Sequence, residues 1–169
     1  DILPRVTKHG QVKPETLNAW TVRIHRETLD HVSDGDALTL AWKEVPKALR
    51  TDISLLESYF KALMRAGLHE RAEKELTAAL KSSWRGPLVR LFGLVEGANA
   101  SKQLKRAEGW LAAHSDDPDL LLTAARLCLR NELWGKARSY LETMISLRPS
   151  PEVYQVYGAL LNRLGDTEA

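Results

Sequence analysis

The chain has 169 residues, 44 % of them apolar and 27 % charged, enough to bury the core of one sizeable domain. A net charge of +2 does not by itself call for a nucleic-acid partner, and a single cysteine, Cys128, excludes an internal disulfide framework and fits a reducing compartment. No apolar run reaches the ~18 residues that a membrane-spanning helix needs.

Helix formers dominate, and strict apolar–polar alternation is absent, so the pattern predicts an all-α fold. Residues 1–8 read as the end of a helix closed by Gly10. Pro14 suits a first helical turn, and Leu17, Trp20, Ile24 and Leu29 then recur near helical spacing. Ser33-Asp34-Gly35-Asp36 is a break with capping residues. A short helix with Leu38, Leu40 and Trp42 follows and ends before Pro46.

From Asp52, a good N-cap, the pattern becomes regular. Ile53, Leu56, Tyr59, Phe60 and Leu63 share one face, and Gly67 stops the helix. A second helix spans about 69–82, with Ala72, Leu76, Ala79 and Leu80 apolar. Residues 87–96 predict a helix, Gly97-Ala98-Asn99 a turn, and Ser101 caps a helix to about residue 114 with Leu104, Ala107 and Leu111 inward. Asp117 caps a helix from Pro118 to Arg130, whose stripe includes Leu121, Ala125 and Cys128. A partner helix runs over 134–147. Ser150-Pro151 opens the last helix, expected to end at Leu164 before a Gly165-Asp166 turn.

Helices of about 12 residues joined by short turns form antiparallel pairs. The stretch Gly67 to Ala72 superposes on Glu132 to Ala137, with a small residue five positions past each turn, and Leu76 then matches Leu141. A third unit opens at Pro151 with Tyr154 and Gly158. This resembles the tetratricopeptide repeat (TPR), a helix–turn–helix of about 34 residues. Phe60 and Ala125 stand where that family often has glycine, and the unit at about 87–117 is shortened. The organisation predicted is an N-terminal helical extension over 1–51 and three to four TPR-like units over 52–169, the last truncated, wound as a right-handed superhelix.

A finer resemblance rests on the short helix bearing Trp42, Leu88-Val89-Arg90-Leu91, Gln103-Leu104, Asp117-Pro118-Asp119-Leu120-Leu121, Leu133-Trp134-Gly135-Lys136-Ala137-Arg138 and Arg148-Pro149-Ser150-Pro151-Glu152-Val153-Tyr154. Together these look like the C-terminal TPR region of the proteobacterial HemY family. The resemblance implies two membrane helices preceding a TPR region on the cytoplasmic face of the bacterial inner membrane. It further implies a scaffolding or porphyrin-handling role late in haem biosynthesis. On this reading the chain, which opens at Asp1, is a fragment of a longer membrane-anchored protein. No Gly-x-Gly-x-x-Gly pattern follows a strand, as a flavin-dependent oxidase would require.

Nothing points to catalysis. The five histidines, His9, His25, His31, His69 and His114, show no i, i+4 metal spacing, and no Cys-x-x-Cys exists. One imidazole would suffice as an axial haem ligand, so haem or porphyrin remains a candidate bound ligand. His31 and His114, near helix ends, suit dipole-stabilised cations. Cys128 sits on an apolar stripe as a small hydrophobe. Glu70, Glu73 and Glu75 alternate with Arg71 and Lys74 as a solvated face. The five tryptophans are expected to pack between units.

If the first helix of each unit lines a concave surface, Lys61, Arg65, Arg90, Arg126, Arg130, Asn162 and Arg163 face the groove. Such a basic stripe suits a peptide carboxylate, an acidic tail or porphyrin propionates. The expected function is a non-catalytic scaffold, with protein partners that include haem-pathway enzymes. The alternatives are a generic adaptor for acidic peptides and a porphyrin-handling or oxidising protein.

Overall fold

The computed structural model describes residues 13–168, and among these there are helices and connecting turns but no strand. The helix end expected at residues 1–10, and His9 within it, lie outside the described residues. Contacts divide the chain into two compact units after Ala66. That boundary falls one helix later than the division after residue 51 drawn from the repeat pattern.

The first unit holds α1 (Pro14–His31), α2 (Gly35–Glu44), a 3₁₀ turn at Lys47–Leu49, and α3 (Ile53–Arg65). Pro14 lies in the first turn of α1, where its missing N–H costs nothing. Asp34 accepts from the Ala37 N–H at 2.9 Å and starts α2. Asp52 accepts from the N–H groups of Ser54 and Leu55 at 2.9 and 3.1 Å and starts α3. α3 packs on α1 and α2, which is why it belongs with them. Leu29, Leu38, Val45, Leu55, Tyr59, Ala62 and Leu63 form the core, and Trp42 stacks on Tyr59 with ring centroids 4.1 Å apart. The stripe predicted on α1 is only partly inward: Leu29 is buried, while Leu17, Trp20 and Ile24 are exposed, as is Leu40 on α2. Helical spacing marks a face; it does not say what covers it.

The second unit holds α4 (His69–Ser82), α5 (Gly86–Phe92), α6 (Ala100–Trp110), α7 (Pro118–Arg130), α8 (Trp134–Leu147) and α9 (Pro151–Glu168). α4 packs on α5; α5 and α6 pack on α7; α7 packs on α8; and α9 lies against α8 and α7. α7 is central, with Leu120 through Ala125, Leu127 and Cys128 all buried. Three helices differ in their bounds from the sequence expectation. α5 stops at Phe92. α6 starts at Ala100 because the Asn99 side chain, not Ser101, caps it, accepting from the Lys102 N–H at 2.8 Å, and it ends at Trp110. α9 continues through Gly165 to Glu168, since glycine permits a left-handed break without forcing one.

The repeat is visible in the helix starts. α3, α5, α7 and α9 begin at residues 53, 86, 118 and 151, so successive starts are 33, 32 and 33 residues apart. Seven positions past these starts stand Phe60, Gly93, Ala125 and Gly158, of which Gly93 directly follows the last residue of α5. The turns after α3 and α7 also match. Gly67 has φ 73° and Glu132 has φ 58°, and each leads through a leucine into a helix whose fourth residue, Ala72 or Ala137, is fully buried. After α7, the Leu133 N–H bonds the Cys128 carbonyl at 2.9 Å and the Glu132 N–H bonds the Leu129 carbonyl at 3.1 Å. This is a Schellman cap with glutamate in the glycine position.

Candidate functional site

The arginines of the predicted groove take up internal partners. In the first unit, Lys61 sits 3.9 Å from Glu57 along the exposed side of α3. Arg65 donates to the carbonyls of Leu29 and Val32 at 2.8 and 3.3 Å, closing the end of α1. In the second unit, Arg90 on α5 and Arg126 on α7 converge on Glu152 of α9, Arg126 at 2.7 Å, and Arg90 also lies 3.5 Å from Asp119. Consecutive first helices are thereby braced to one another. Asp119 and Glu152 were not singled out in the sequence, although each follows a helix-opening proline and they lie 33 residues apart.

The two carboxylates respond oppositely to their surroundings. Burial raises the Asp119 carboxyl above its ordinary range, outweighing the Arg90 charge beside it. Burial also pushes Glu152 upward, but the hydrogen bond and charge of Arg126, reinforced by Arg90, overcome this and leave it below its ordinary range.

Arg130 is held in a fixed pose. Its guanidinium donates to Gln103 Oε1 at 2.8 Å, to the Gly97 carbonyl at 2.6 Å and to the Val95 carbonyl at 3.3 Å. Gln103 is fully buried, and its Nε2 donates to the carbonyls of Phe92 and Val95. Together the two side chains satisfy the irregular backbone between α5 and α6.

Arg130 also lines a cleft of about 400 Å³ with Arg163, Glu132, Trp134, Leu129, Ala159 and Leu160. This cleft gathers two of the predicted groove residues with the Glu132 carboxylate and four other side chains in one lining. Asn162, exposed on α9, precedes Arg163 but is not part of the lining.

Other candidate groups are engaged elsewhere. Among the described residues, no group of three or more His, Cys, Asp or Glu side chains is placed to hold a metal ion. His69 Nδ1 accepts from the Glu96 N–H at 3.1 Å, His31 Nδ1 lies 2.7 Å from the Glu27 carbonyl, and His114 stacks on Trp84 at 3.8 Å. None of them lines the arginine cleft, whose charged lining is Arg130, Arg163 and Glu132. Burial pushes the Cys128 thiol up to about 11, which keeps it neutral and unreactive. Trp84, Trp110 and Phe92 form an edge-on aromatic cluster, with the Trp84 indole N–H donating to Asp117 at 2.7 Å.

No protein-family model, curated protein or solved structure matches the chain. No helix among the described residues is long and apolar enough to cross a membrane.

Proposed function

We propose that the chain is a non-catalytic, TPR-like binding scaffold, and that the cleft beside Trp134 takes a carboxylate carried on an apolar body. The observation behind this reading is that Arg130, fixed by three acceptors, shares the lining of one cleft with Arg163 and with the apolar side chains of Leu129, Trp134 and Leu160. A guanidinium fixed before the ligand arrives loses little freedom on binding, so the charge-assisted bond is formed at low entropic cost. The 33-residue recurrence of helix starts supports the repeat architecture.

Two ligand classes suit such a cleft. The HemY resemblance favours a tetrapyrrole, whose propionates would meet the arginines, in a membrane-anchored protein acting late in haem biosynthesis. The openness of the cleft and the lack of histidine in its lining favour an acidic peptide segment with a neighbouring apolar side chain. The test is a titration of the purified chain with protoporphyrin, with haem and with a Glu-rich peptide, followed by tryptophan quenching and by anisotropy of the labelled peptide. Arg163→Glu is the control, because Arg130 also holds the backbone beside α5. Saturable micromolar binding that Arg163→Glu weakens at least tenfold supports the cleft, and the ligand that binds decides the class. Absence of binding by all three, or binding indifferent to the substitution, overturns it.

A further inference from the structure

The left-handed turn after α7 holds a glutamate where the matching turn after α3 holds glycine, and that glutamate stands in the arginine cleft. Glu132, at φ 58°, is the one non-glycine residue with positive φ among the described residues. Gly67 takes the same conformation at φ 73° without a Cβ to crowd. Strain of this kind persists only where the surroundings hold it, and it gathers at functional sites. The bonds from the Glu132 and Leu133 N–H groups back to α7 hold the turn. They use backbone atoms alone, so glycine would make them equally well, and they give no reason for the glutamate side chain. That side chain is exposed, and among the described residues no hydrogen bond or ion pair engages its carboxylate. It lines the cleft with Arg130, Arg163 and Trp134. Leu160, in the same lining, is fully buried, so this side of α9 is the one packed within its unit and not an uncovered face. Arg130 keeps N–H groups beyond those given to Gln103, Gly97 and Val95.

We infer that Glu132 makes the cleft selective for a peptide segment that presents a lysine ammonium beside its carboxylate. The arginines receive the carboxylate, Glu132 receives the ammonium, and the lysine stem lies along the apolar part of the lining. A ligand that brings only negative charge meets Glu132 as a like charge, and glycine would serve such a ligand better. The inference rests on the carboxylate cleft proposed above and adds its second charge. It also divides the two ligand classes, because the propionates of a tetrapyrrole bring no cation to this lining.

The experiment measures fluorescence anisotropy of labelled peptides titrated with the full chain at one ionic strength. The first peptide is Glu-rich; the others carry a single lysine in place of one glutamate, at successive spacings from a retained glutamate. Bulk charge favours the Glu-rich peptide, since the chain carries a net +2 and the lining sets two arginines against one glutamate. Against that bias, the parent is expected to bind the best lysine peptide at least tenfold more tightly than the Glu-rich one. Glu132→Gln keeps the side chain's size and its strained φ, and is expected to abolish the preference; Glu132→Lys is expected to reverse it. Glu132→Gly is expected to abolish the preference while raising the thermal midpoint, which separates lost selectivity from a folding defect. Equal binding of all the peptides by the parent, or a preference that survives Glu132→Gln, overturns the inference. The carboxylate cleft then still stands, provided that Arg163→Glu weakens every peptide. Absence of binding by any peptide, or binding that Arg163→Glu leaves unchanged, overturns the cleft and this inference with it.

Discussion

Gly67 and Glu132 occupy the same left-handed position in two equivalent turns, and only one of them suits it. A side chain in this conformation costs about 1 kcal/mol, because Cβ crowds the following carbonyl oxygen. Gly67 has no Cβ; Glu132 carries the strain at φ 58°. The surrounding bonds from Glu132 and Leu133 to the end of α7 hold it there. Gly67→Ala is therefore expected to lower stability by about 1 kcal/mol and Glu132→Gly to raise it by a similar amount, read as shifts of the thermal midpoint. The added Cβ at position 67 would touch nothing within 4 Å, so the cost there is conformational rather than steric. A Gly67→Ala chain as stable as the parent would refute the equivalence of the two turns. At this scale the sequence was informative for groups that act locally. Asp34, Asp52 and Asp117 each reach an N–H two or three residues ahead, and all three caps are readable without a fold. The arginines were not readable in this way. Arg126 meets Glu152 across 26 residues, Arg65 meets Leu29 across 36, and Arg90 meets Glu152 across 62. A charged residue on a helix face looks the same in sequence whether water or a distant carboxylate answers it.

Between elements, Gly93 sets how closely the end of α5 approaches α7. A Cβ added at Gly93 would lie 3.0–3.2 Å from the side chain and Cα of Thr123, so α5 and α7 touch there through glycine. Thr123 is fully buried and donates to the Val89 carbonyl at 2.8 Å, which leaves it little room to give way. Gly93→Val is expected to cost about 2 kcal/mol through overpacking. At Gly158, the same register position, a methyl group meets open space, and Gly158→Ala is expected to stabilise α9 by about 0.5–1 kcal/mol through helix propensity. The pair separates packing from propensity: thermal melts in which both substitutions move stability in the same direction would contradict the close approach of α5 to α7. Element order and most starts followed from proline, aspartate and apolar spacing. The end of α5 did not, because the backbone that follows it is satisfied by Gln103 and Arg130, which come together only in the folded unit. The outward turn of Trp20 was equally hidden, since its spacing with Leu29 is compatible with burial or exposure.

Across the second unit, the Arg90–Glu152–Arg126 brace links α5, α7 and α9 and gives the repeat array a dependence on pH. In the unfolded chain a glutamate titrates near 4.3. Glu152 is held below its ordinary range when folded, so its stabilisation is complete above about pH 5 and disappears as pH falls through the folded value. Asp119 has the opposite sign. Its raised folded value means that ionisation costs stability as pH rises past the ordinary aspartate range. Glu152→Gln is therefore expected to lower stability at pH 7 by about 1 kcal/mol, the value of a charge-assisted bond discounted for a side chain 35 % exposed. The gap between parent and variant should narrow as pH falls below the ordinary glutamate range and close once pH passes the lowered folded value, where the parent's own Glu152 takes up its proton. Asp119→Asn should be neutral or stabilising at pH 7, because it removes a desolvated charge while keeping a polar group opposite Arg90. Thermal midpoints recorded from pH 3 to pH 7 for the three chains test this directly. A Glu152→Gln deficit that stays constant down to pH 3 would show that the brace acts through shape rather than charge. The basic groove read from the sequence would then be a set of packing contacts, leaving the Arg130–Arg163 cleft to carry any electrostatic recognition.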